Sequence, residues 1–119
     1  MRAKDGIGQY GERVAARHLA EAGMEIVERN WRCPVGELDL VARDGPIVVF
    51  AEVKTRSSAA FGDPAEAVDE VKAARLRRLA VLWLESRGLE FAEVRFDVVS
   101  VLRGRSGPAR VDHFRGVLT

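Results

Sequence analysis

The sequence predicts an α/β domain in which helices pack against a mixed central sheet. Two long segments repeat apolar residues at helical spacing, and shorter segments between and after them have the alternating pattern of strands. The dipeptide Asp44-Gly45 separates two apolar runs, which is a strong signal for a β-hairpin. The resulting order is α-β-β-β-α-β with a short last strand, and we expect a single domain over residues 1–119.

The first predicted elements are a helix and a strand that leads into the hairpin. The helix runs from Ile7 to Ala22, because apolar residues recur on one face and Gly23 follows as a stop signal. A strand is predicted from Met24 to Trp31, with a turn from Cys33 to Gly36. Together with the hairpin, this strand forms an antiparallel meander.

The second half of the chain is predicted to contain one helix and two strands. Pro64 to Val68 suits a first helical turn, and Asp69 offers a second start signal. The strands fall within Phe91 to Leu102 and, more briefly, Arg110 to Phe114. The helix itself runs from Val71 to Ser86, and its predicted buried stripe comprises Val71, Leu76, Leu79, Ala80, Trp83 and Leu84.

Four charged side chains fall on one face of the hairpin if Asp44-Gly45 is a two-residue loop. Side chains alternate along a strand, so Glu37 and Asp39 then share a face with Glu52 and Lys54. In this register Glu37 lies opposite Glu52, and the Cα atoms of Asp39 and Glu52 are diagonal neighbours about 7–8 Å apart. Two such carboxylates attract a divalent cation, and a neighbouring lysine favours a substrate anion. A three-residue loop would send Glu52 to the opposite face.

Interpretations without a metal site remain open for these acids. Charged strand residues usually form the solvated face of a half-exposed sheet. Against this, Glu37 and Glu52 directly opposite each other would destabilise the sheet without a cation or a proton. A helix packed on the sheet would bring Glu12 over the hairpin face; otherwise Glu12 is an exposed residue near a helix start, where the dipole favours it.

Basic residues beside the stripe of the second helix are candidates for phosphate contacts. Lys72, Arg75 and Arg78 recur at three-residue spacing, and Arg56 follows the hairpin. Such side chains neutralise a nucleic-acid backbone without reading its bases. A solvated helix face is the alternative, and a net charge of +1 is weak for a nucleic-acid binder.

Composition excludes several other classes of protein. The longest apolar stretch is too short to cross a bilayer and no secretory signal is visible, so we expect a cytoplasmic protein without membrane partners. The single cysteine, Cys33, excludes an intrachain disulfide and a cysteine-based zinc cage. The sequence has no Ser/His/Asp grouping and no glycine-rich phosphate loop.

The order and spacing of several motifs resemble those of the bacterial YraN-like family. The similarity runs from about Gly8 to about His113 and rests on Tyr10-Gly11-Glu12, Arg29-Asn30-Trp31-Arg32, Gly36-Glu37-Leu38-Asp39, Glu52-Val53-Lys54-Thr55-Arg56, Phe61-Gly62-Asp63-Pro64, Ala67-Val68, Lys72 and Arg95-Phe96-Asp97-Val98. That family is similar to the PD-(D/E)XK nuclease superfamily, whose restriction-endonuclease-like fold is shared with archaeal Holliday-junction resolvases. The resemblance implies a core of α-β-β-β-α-β with a mixed central sheet flanked by helices.

The resemblance also implies a set of site residues. It places metal ligands at Asp39 and Glu52 and the superfamily lysine at Lys54, and Glu12 matches a helical glutamate that often completes such sites. The backbone carbonyl of Val53 is a further candidate ligand for Mg²⁺ or Mn²⁺. One departure is that a leucine precedes Asp39 where the superfamily name has proline.

We therefore expect a Mg²⁺- or Mn²⁺-dependent endonuclease that acts on structured or branched DNA. Its catalytic groups would be Asp39, Glu52, Lys54 and Glu12, and its DNA contacts Arg56, Lys72, Arg75 and Arg78. The alternatives are a non-catalytic nucleic-acid-binding module of the same fold and a protein-interaction domain with an acidic face. A homodimer is expected only by analogy with resolvases, in which paired sites cut paired strands.

Overall fold

The computed structural model describes residues 6–57 and 69–117. These residues form α1 (Gly6–Glu21), β1 (Glu25–Cys33), β2 (Gly36–Asp44), β3 (Ile47–Arg56), α2 (Glu70–Ser86), β4 (Glu93–Leu102) and β5 (Arg110–Phe114). The predicted α/β order is confirmed, and the helical turn predicted at Pro64 to Val68 lies outside the described residues. Within the described ranges, neither helix is long and apolar enough to cross a bilayer.

The five strands form one mixed sheet in the order β1-β2-β3-β4-β5. The first three strands are an antiparallel meander, as predicted. The chain then crosses over through α2, so that β4 runs parallel to β3, and β5 returns antiparallel to β4. Alternate residues of β3 face two separate cores. Val49 and Ala51 pack in the cluster that contains α1, while Val48 and Phe50 pack in the cluster that contains α2. The two helices therefore cover opposite faces of the sheet.

The hairpin turn lies one residue later than the sequence predicted. A two-residue loop of Asp44 and Gly45 would pair Arg43 with Pro46. Instead, Gly45 and Pro46 form the loop and Asp44 pairs with Ile47, so the predicted loop is wrong. Proline has no N–H to donate to a ladder, and its ring fixes φ near −65°. It therefore suits the second loop position of a type II′ turn, in which Gly45 supplies the positive φ of 62°.

This error does not change which side chains share a face. The observed partner of Leu40 is Ala51 rather than Val49, so the register has moved by an even number of residues. Facing alternates with every residue, and an even shift therefore preserves it. Asp39 and Glu52 accordingly stay on one side of the hairpin.

Helix α2 begins at the second of the two predicted start signals. Asp69 is its N-cap, and the carboxylate accepts the N–H of Lys72 at 2.8 Å. Val71 is 70% exposed, so its inclusion in the buried stripe is wrong. Ala73 is buried instead, because it lies three residues before Leu76 and therefore on the same helix face.

Helix α1 approaches the sheet closely through Gly11. A Cβ atom at this position would lie 1.8 Å from the hydroxyl oxygen of Thr55 on β3. Glu12, Ala15 and Leu19 on the same helix are buried, whereas Ala22, the last residue of the predicted helix, is exposed. A side chain of any size at Gly11 would therefore separate helix and sheet.

Asp97 on β4 ties the C-terminal strand to the sheet. Its side chain is fully buried and accepts hydrogen bonds from His113 Nε2 at 2.7 Å, from two Arg95 nitrogens at 2.9 and 3.0 Å, and from the Gly116 N–H at 3.0 Å. Burial alone would raise the pKa of the Asp97 carboxyl, but these donors outweigh it and lower the pKa to about 2.

Replacement of Gly11 by alanine should destabilise the protein by about 1–3 kcal/mol, because the added methyl group would collide with Thr55. Gly6→Ala is the matched control on the same helix, since a Cβ atom added there would meet nothing within 4 Å. We expect it to be neutral or slightly stabilising. Urea unfolding measures both variants, and equal midpoints would contradict the close packing of α1.

Replacement of Asp97 by asparagine should flatten the acid limb of the stability profile. A native pKa of about 2 against 3.8 in the unfolded chain gives about 2 kcal/mol of stability, present above about pH 4 and lost as the pH falls towards 2. Asp112→Asn is the control, because that carboxylate is 45% exposed and pairs only with Arg110 among the described contacts. Thermal unfolding across this pH range tests the prediction, and an Asp97→Asn profile as steep as that of the unsubstituted protein would refute it.

Candidate metal and phosphate site

Charged residues from β2, β3 and α2 line a cavity of about 210 Å³ near the start of β2 and the end of β3. Both predicted metal-binding carboxylates, Asp39 and Glu52, line it. The helix contributes Lys72 and Arg75 together with Leu76 and Leu79, which recur at the spacing of one helix face, and β2 adds Gly36 and Glu37. Acids from the strands thus meet bases from the helix in one cavity.

Asp39 is held by a backbone donor of the neighbouring strand. The antiparallel ladder of β2 and β3 ends at the pair of Leu40 and Ala51, one residue before the acids. Beyond that pair, the Asp39 Oδ2 atom accepts the N–H of Val53 at 2.9 Å. This hydrogen bond to the backbone of β3 holds the Asp39 carboxylate beside Glu52.

The predicted like-charge pair of Glu37 and Glu52 is wrong. Glu37 pairs across the other side of β2 with Arg32 of β1, and its carboxylate accepts the Arg32 Nε–H at 3.0 Å. The diagonal relation predicted for Asp39 and Glu52 fails for the same reason, because the register is shifted by two residues. These two acids occupy the next facing positions after the last ladder pair.

Two lysines bind the same oxygen of Glu52. The Oε1 atom lies 3.1 Å from Lys54 Nζ and 3.0 Å from Lys72 Nζ, and the glutamate side chain is only 13% exposed. Burial lowers the pKa of Lys54, and the neighbouring Lys72 ammonium lowers it further, although Glu52 opposes the change. Of the two ammonium groups, that of Lys54 is therefore the one that loses its proton more readily.

The four predicted DNA-binding residues do not lie together. Lys72 and Arg75 line the cavity, whereas Arg78 is exposed on α2 outside the lining. Arg56 ends β3, where its carbonyl accepts the N–H of Arg103 at 2.7 Å. Of these four residues, Lys72 and Arg75 are therefore the two that line the cavity.

Glu12 is buried, which contradicts the exposed alternative considered for it. The residue is 4% exposed, lies on the α1 side of the sheet and does not line the cavity. The Asn30 amide, oriented with its nitrogen towards the carboxylate, donates to the two Glu12 oxygens at 2.7 and 3.1 Å. Asn30 has a left-handed φ of 52° and sits between two registered pairs of β1 and β2, at the ladder position of Asp39.

Asn30 has a role that the sequence patterns did not reveal. Asparagine tolerates a left-handed conformation better than most residues, and its place in the motif Arg29-Asn30-Trp31-Arg32 was the available signal. That signal could not show that the amide reaches Glu12, because the contact joins a helix and a strand. Glu12 is thus connected to the neighbourhood of Asp39 from the opposite face of the sheet.

The donor chemistry of the cavity fits a hard divalent cation. Carboxylate oxygens are the ligands that Mg²⁺ and Mn²⁺ prefer, and Glu52 already attracts two cationic nitrogens. Within residues 6–57 and 69–117, no three Asp, Glu, His or Cys side chains are grouped around one ion position. Asp39 and Glu52 would act with the Val53 carbonyl and water, since Mg²⁺ commonly binds through one or two carboxylates and retains several waters.

The fold and the cavity define a small α/β protein with two acids and two lysines at the end of its central hairpin. The chain belongs to the uncharacterised protein family UPF0102, whose profile matches residues 11–101. This confirms the expected family, while the relation to the nuclease superfamily stays a prediction. Asp39, Glu52, Lys54 and Lys72 all fall within the matched range.

Individual members of this family are similar over nearly their whole length. A UPF0102 protein of Beutenbergia cavernae is 68% identical over 117 residues, which cover 98% of this chain and 99% of the relative. A relative in Frankia casuarinae is 59% identical over 116 residues, with 98% of both chains covered. Another, in Streptomyces griseus, is 55% identical over 118 residues, or 98% of this chain and 99% of the relative.

Proposed function

We propose that this protein is a cytoplasmic Mg²⁺- or Mn²⁺-dependent endonuclease that hydrolyses phosphodiester bonds in structured or branched DNA. The supporting observation is the cavity in which Asp39 and Glu52 lie beside Lys72, with Lys54 bound to the same glutamate. Hydrolysis of a phosphodiester needs positive charge at the phosphate and an activated water, and this set of side chains can serve both needs. The order of helices and strands also agrees with the restriction-endonuclease-like core that the sequence resembles.

The acids have the role of holding the cation. A bound Mg²⁺ or Mn²⁺ supplies Lewis-acid stabilisation of the charge that develops on the phosphate. Asp39 and Glu52 would hold it together with the backbone carbonyl of Val53. The hydrogen bond from the Val53 N–H, at 2.9 Å, keeps the Asp39 carboxylate in place before the cation arrives.

Lys54 would act on the reacting groups. It orients the attacking water or stabilises the charge on the phosphorane, and Glu52 positions its Nζ at 3.1 Å. Because burial and Lys72 lower its pKa, Lys54 gives up a proton more readily than an exposed lysine does and is more often free to accept one from the water. Both roles need the amine close to the acids, where it lies.

The remaining residues would bind the DNA backbone or support the site. Lys72 and Arg75 line the cavity and can neutralise the phosphates nearest to the acids. Arg56 and Arg78 would contact phosphates further along the strand. Glu12 reaches this region through Asn30, so we assign it to positioning or to a water-mediated contact.

One observation favours a second candidate, a nucleic-acid-binding module without turnover. Glu52 is already neutralised by two ammonium groups, so the charges of the cavity balance without a metal ion. In such a module, removal of an acid near the phosphate would strengthen DNA binding. Metal dependence therefore separates the two candidates.

Replacement of Asp39 by asparagine, or of Glu52 by glutamine, should reduce DNA cleavage by about 100-fold or more, because a cation ligand is lost. Cleavage of duplex, single-stranded and four-way junction DNA with Mg²⁺ or Mn²⁺ is the measurement. Asp112→Asn, a carboxamide substitution on β5 at a half-exposed position, is the control and should retain full activity.

Calorimetric titration with Mn²⁺ completes this test. The unsubstituted protein and Asp112→Asn should bind the ion, and the two site variants should bind it weakly or not at all. Cleavage that persists unchanged in both site variants would falsify the roles assigned to the acids. DNA binding that improves in Asp39→Asn, without any Mn²⁺ binding by the unsubstituted protein, would establish the second candidate instead.

A further inference from the structure

Lys72 reaches Glu52 from a different element than Lys54 does. Lys54 follows Glu52 by two residues on β3, whereas Lys72 extends from the first turn of α2. Both ammonium groups nevertheless lie at hydrogen-bond distance from one oxygen, Glu52 Oε1, at 3.1 and 3.0 Å. Each carboxylate oxygen has two lone pairs, so both lone pairs of Oε1 are taken by these ammonium groups.

The charges of the cavity balance without any metal ion. The three acids that line it, Glu37, Asp39 and Glu52, are matched in number by Lys72 and Arg75 of the lining and by Lys54, which contacts Glu52. A divalent cation at the acids would bring the positive charges into excess and into contact, and at least one ammonium group would have to leave.

We propose that Lys72 is the resident counter-ion of this site, which leaves Glu52 when a divalent cation binds and then contacts a phosphate of the substrate. This inference rests on the proposed metal-dependent function. It adds to that function a specific exchange: Lys72 and the cation compete for the same glutamate oxygen. In the metal-free protein, Lys72 takes the place of the metal ion at Glu52. In the metal-bound protein, it contacts a phosphate of the substrate.

The geometry favours Lys72 over Lys54 as the group that leaves. The Lys72 side chain is 33% exposed and that of Lys54 23%, so Lys72 has the easier path to solvent. Its backbone is fixed by the Asp69 cap, and its flexible stem can swing without a change in the helix. Lys54 lies two residues from Glu52 on the same strand and is less exposed, so it stays beside the glutamate.

Mn²⁺ titrations of two matched variants test the exchange. Lys72→Met and Arg75→Met each remove one positive charge from the helix face that lines the cavity, but only Lys72 contacts Glu52 in the described structure. If Lys72 competes with the ion, Lys72→Met should bind Mn²⁺ about 5-fold tighter than Arg75→Met at the same ionic strength. General electrostatic repulsion alone would tighten binding equally in both variants.

The outcomes separate this inference from the proposed function. If the unsubstituted protein binds Mn²⁺ but Lys72→Met binds it no tighter than Arg75→Met, the exchange is wrong and the metal site stands. If neither the unsubstituted protein nor either variant binds the ion, the proposed metal site is wrong, and the proposed exchange is wrong as well. Tighter binding confined to Lys72→Met supports both.

A spectroscopic measurement on the unsubstituted protein avoids any effect of the substitutions on folding. The chain has only three lysines, Lys4, Lys54 and Lys72, so the carbon-13 signals of their ε-methylene groups can be assigned by single substitution. Saturation with Mg²⁺ should shift the Lys72 signal towards the position of a solvated lysine. A Lys72 signal that stays unchanged while Mg²⁺ binds would overturn the proposal.

Discussion

The hydrogen bond between the Asp39 carboxylate and the Val53 N–H determines the geometry of the whole candidate site. At this point a side chain takes the donor that a further backbone pair of β2 and β3 would use, and the ladder ends at the preceding pair. The acid is therefore rigid before any ligand binds, because a charged acceptor on a backbone donor forms one of the stronger hydrogen bonds. Glu52 precedes Val53 on the same strand, and β3 therefore holds it beside Asp39.

The crossover through α2 gives these acids their basic partners. Parallel pairing of β3 with β4 requires a long connection, and the helix in that connection packs on the face that carries Glu52. Its first turns then present Lys72 and Arg75 to the cavity. On the opposite face, Gly11 lets α1 approach so closely that Glu12 becomes buried and meets Asn30. The acids thus lie between two helices, each of which adds charged groups.

The sequence predicted the shared face of the acids more reliably than it predicted their register. Alternation along a strand survives an error of two residues, so the wrong turn position left Asp39 and Glu52 together. The contact of Lys72 with Glu52 could not be predicted from alternation along strands, because it depends on how α2 packs on the sheet. The network around Asp97 was missed for the same reason, since its donors come from separate positions on two strands and the segment after β5.

A cluster of acids and bases around one half-buried cavity is a poor way to stabilise a fold. Desolvation of ion pairs costs free energy that their attraction often fails to return, and apolar side chains of similar volume frequently stabilise a protein as well or better. The neighbouring residues Leu76 and Leu79 show that apolar packing is available at this place on α2. Stability alone therefore explains these charges poorly, which agrees with the proposed binding of a cation and a phosphate in this cavity. The buried Asp97 network differs from this cavity. Its four donor atoms all bind one carboxylate, so no donor is placed to exchange with a ligand.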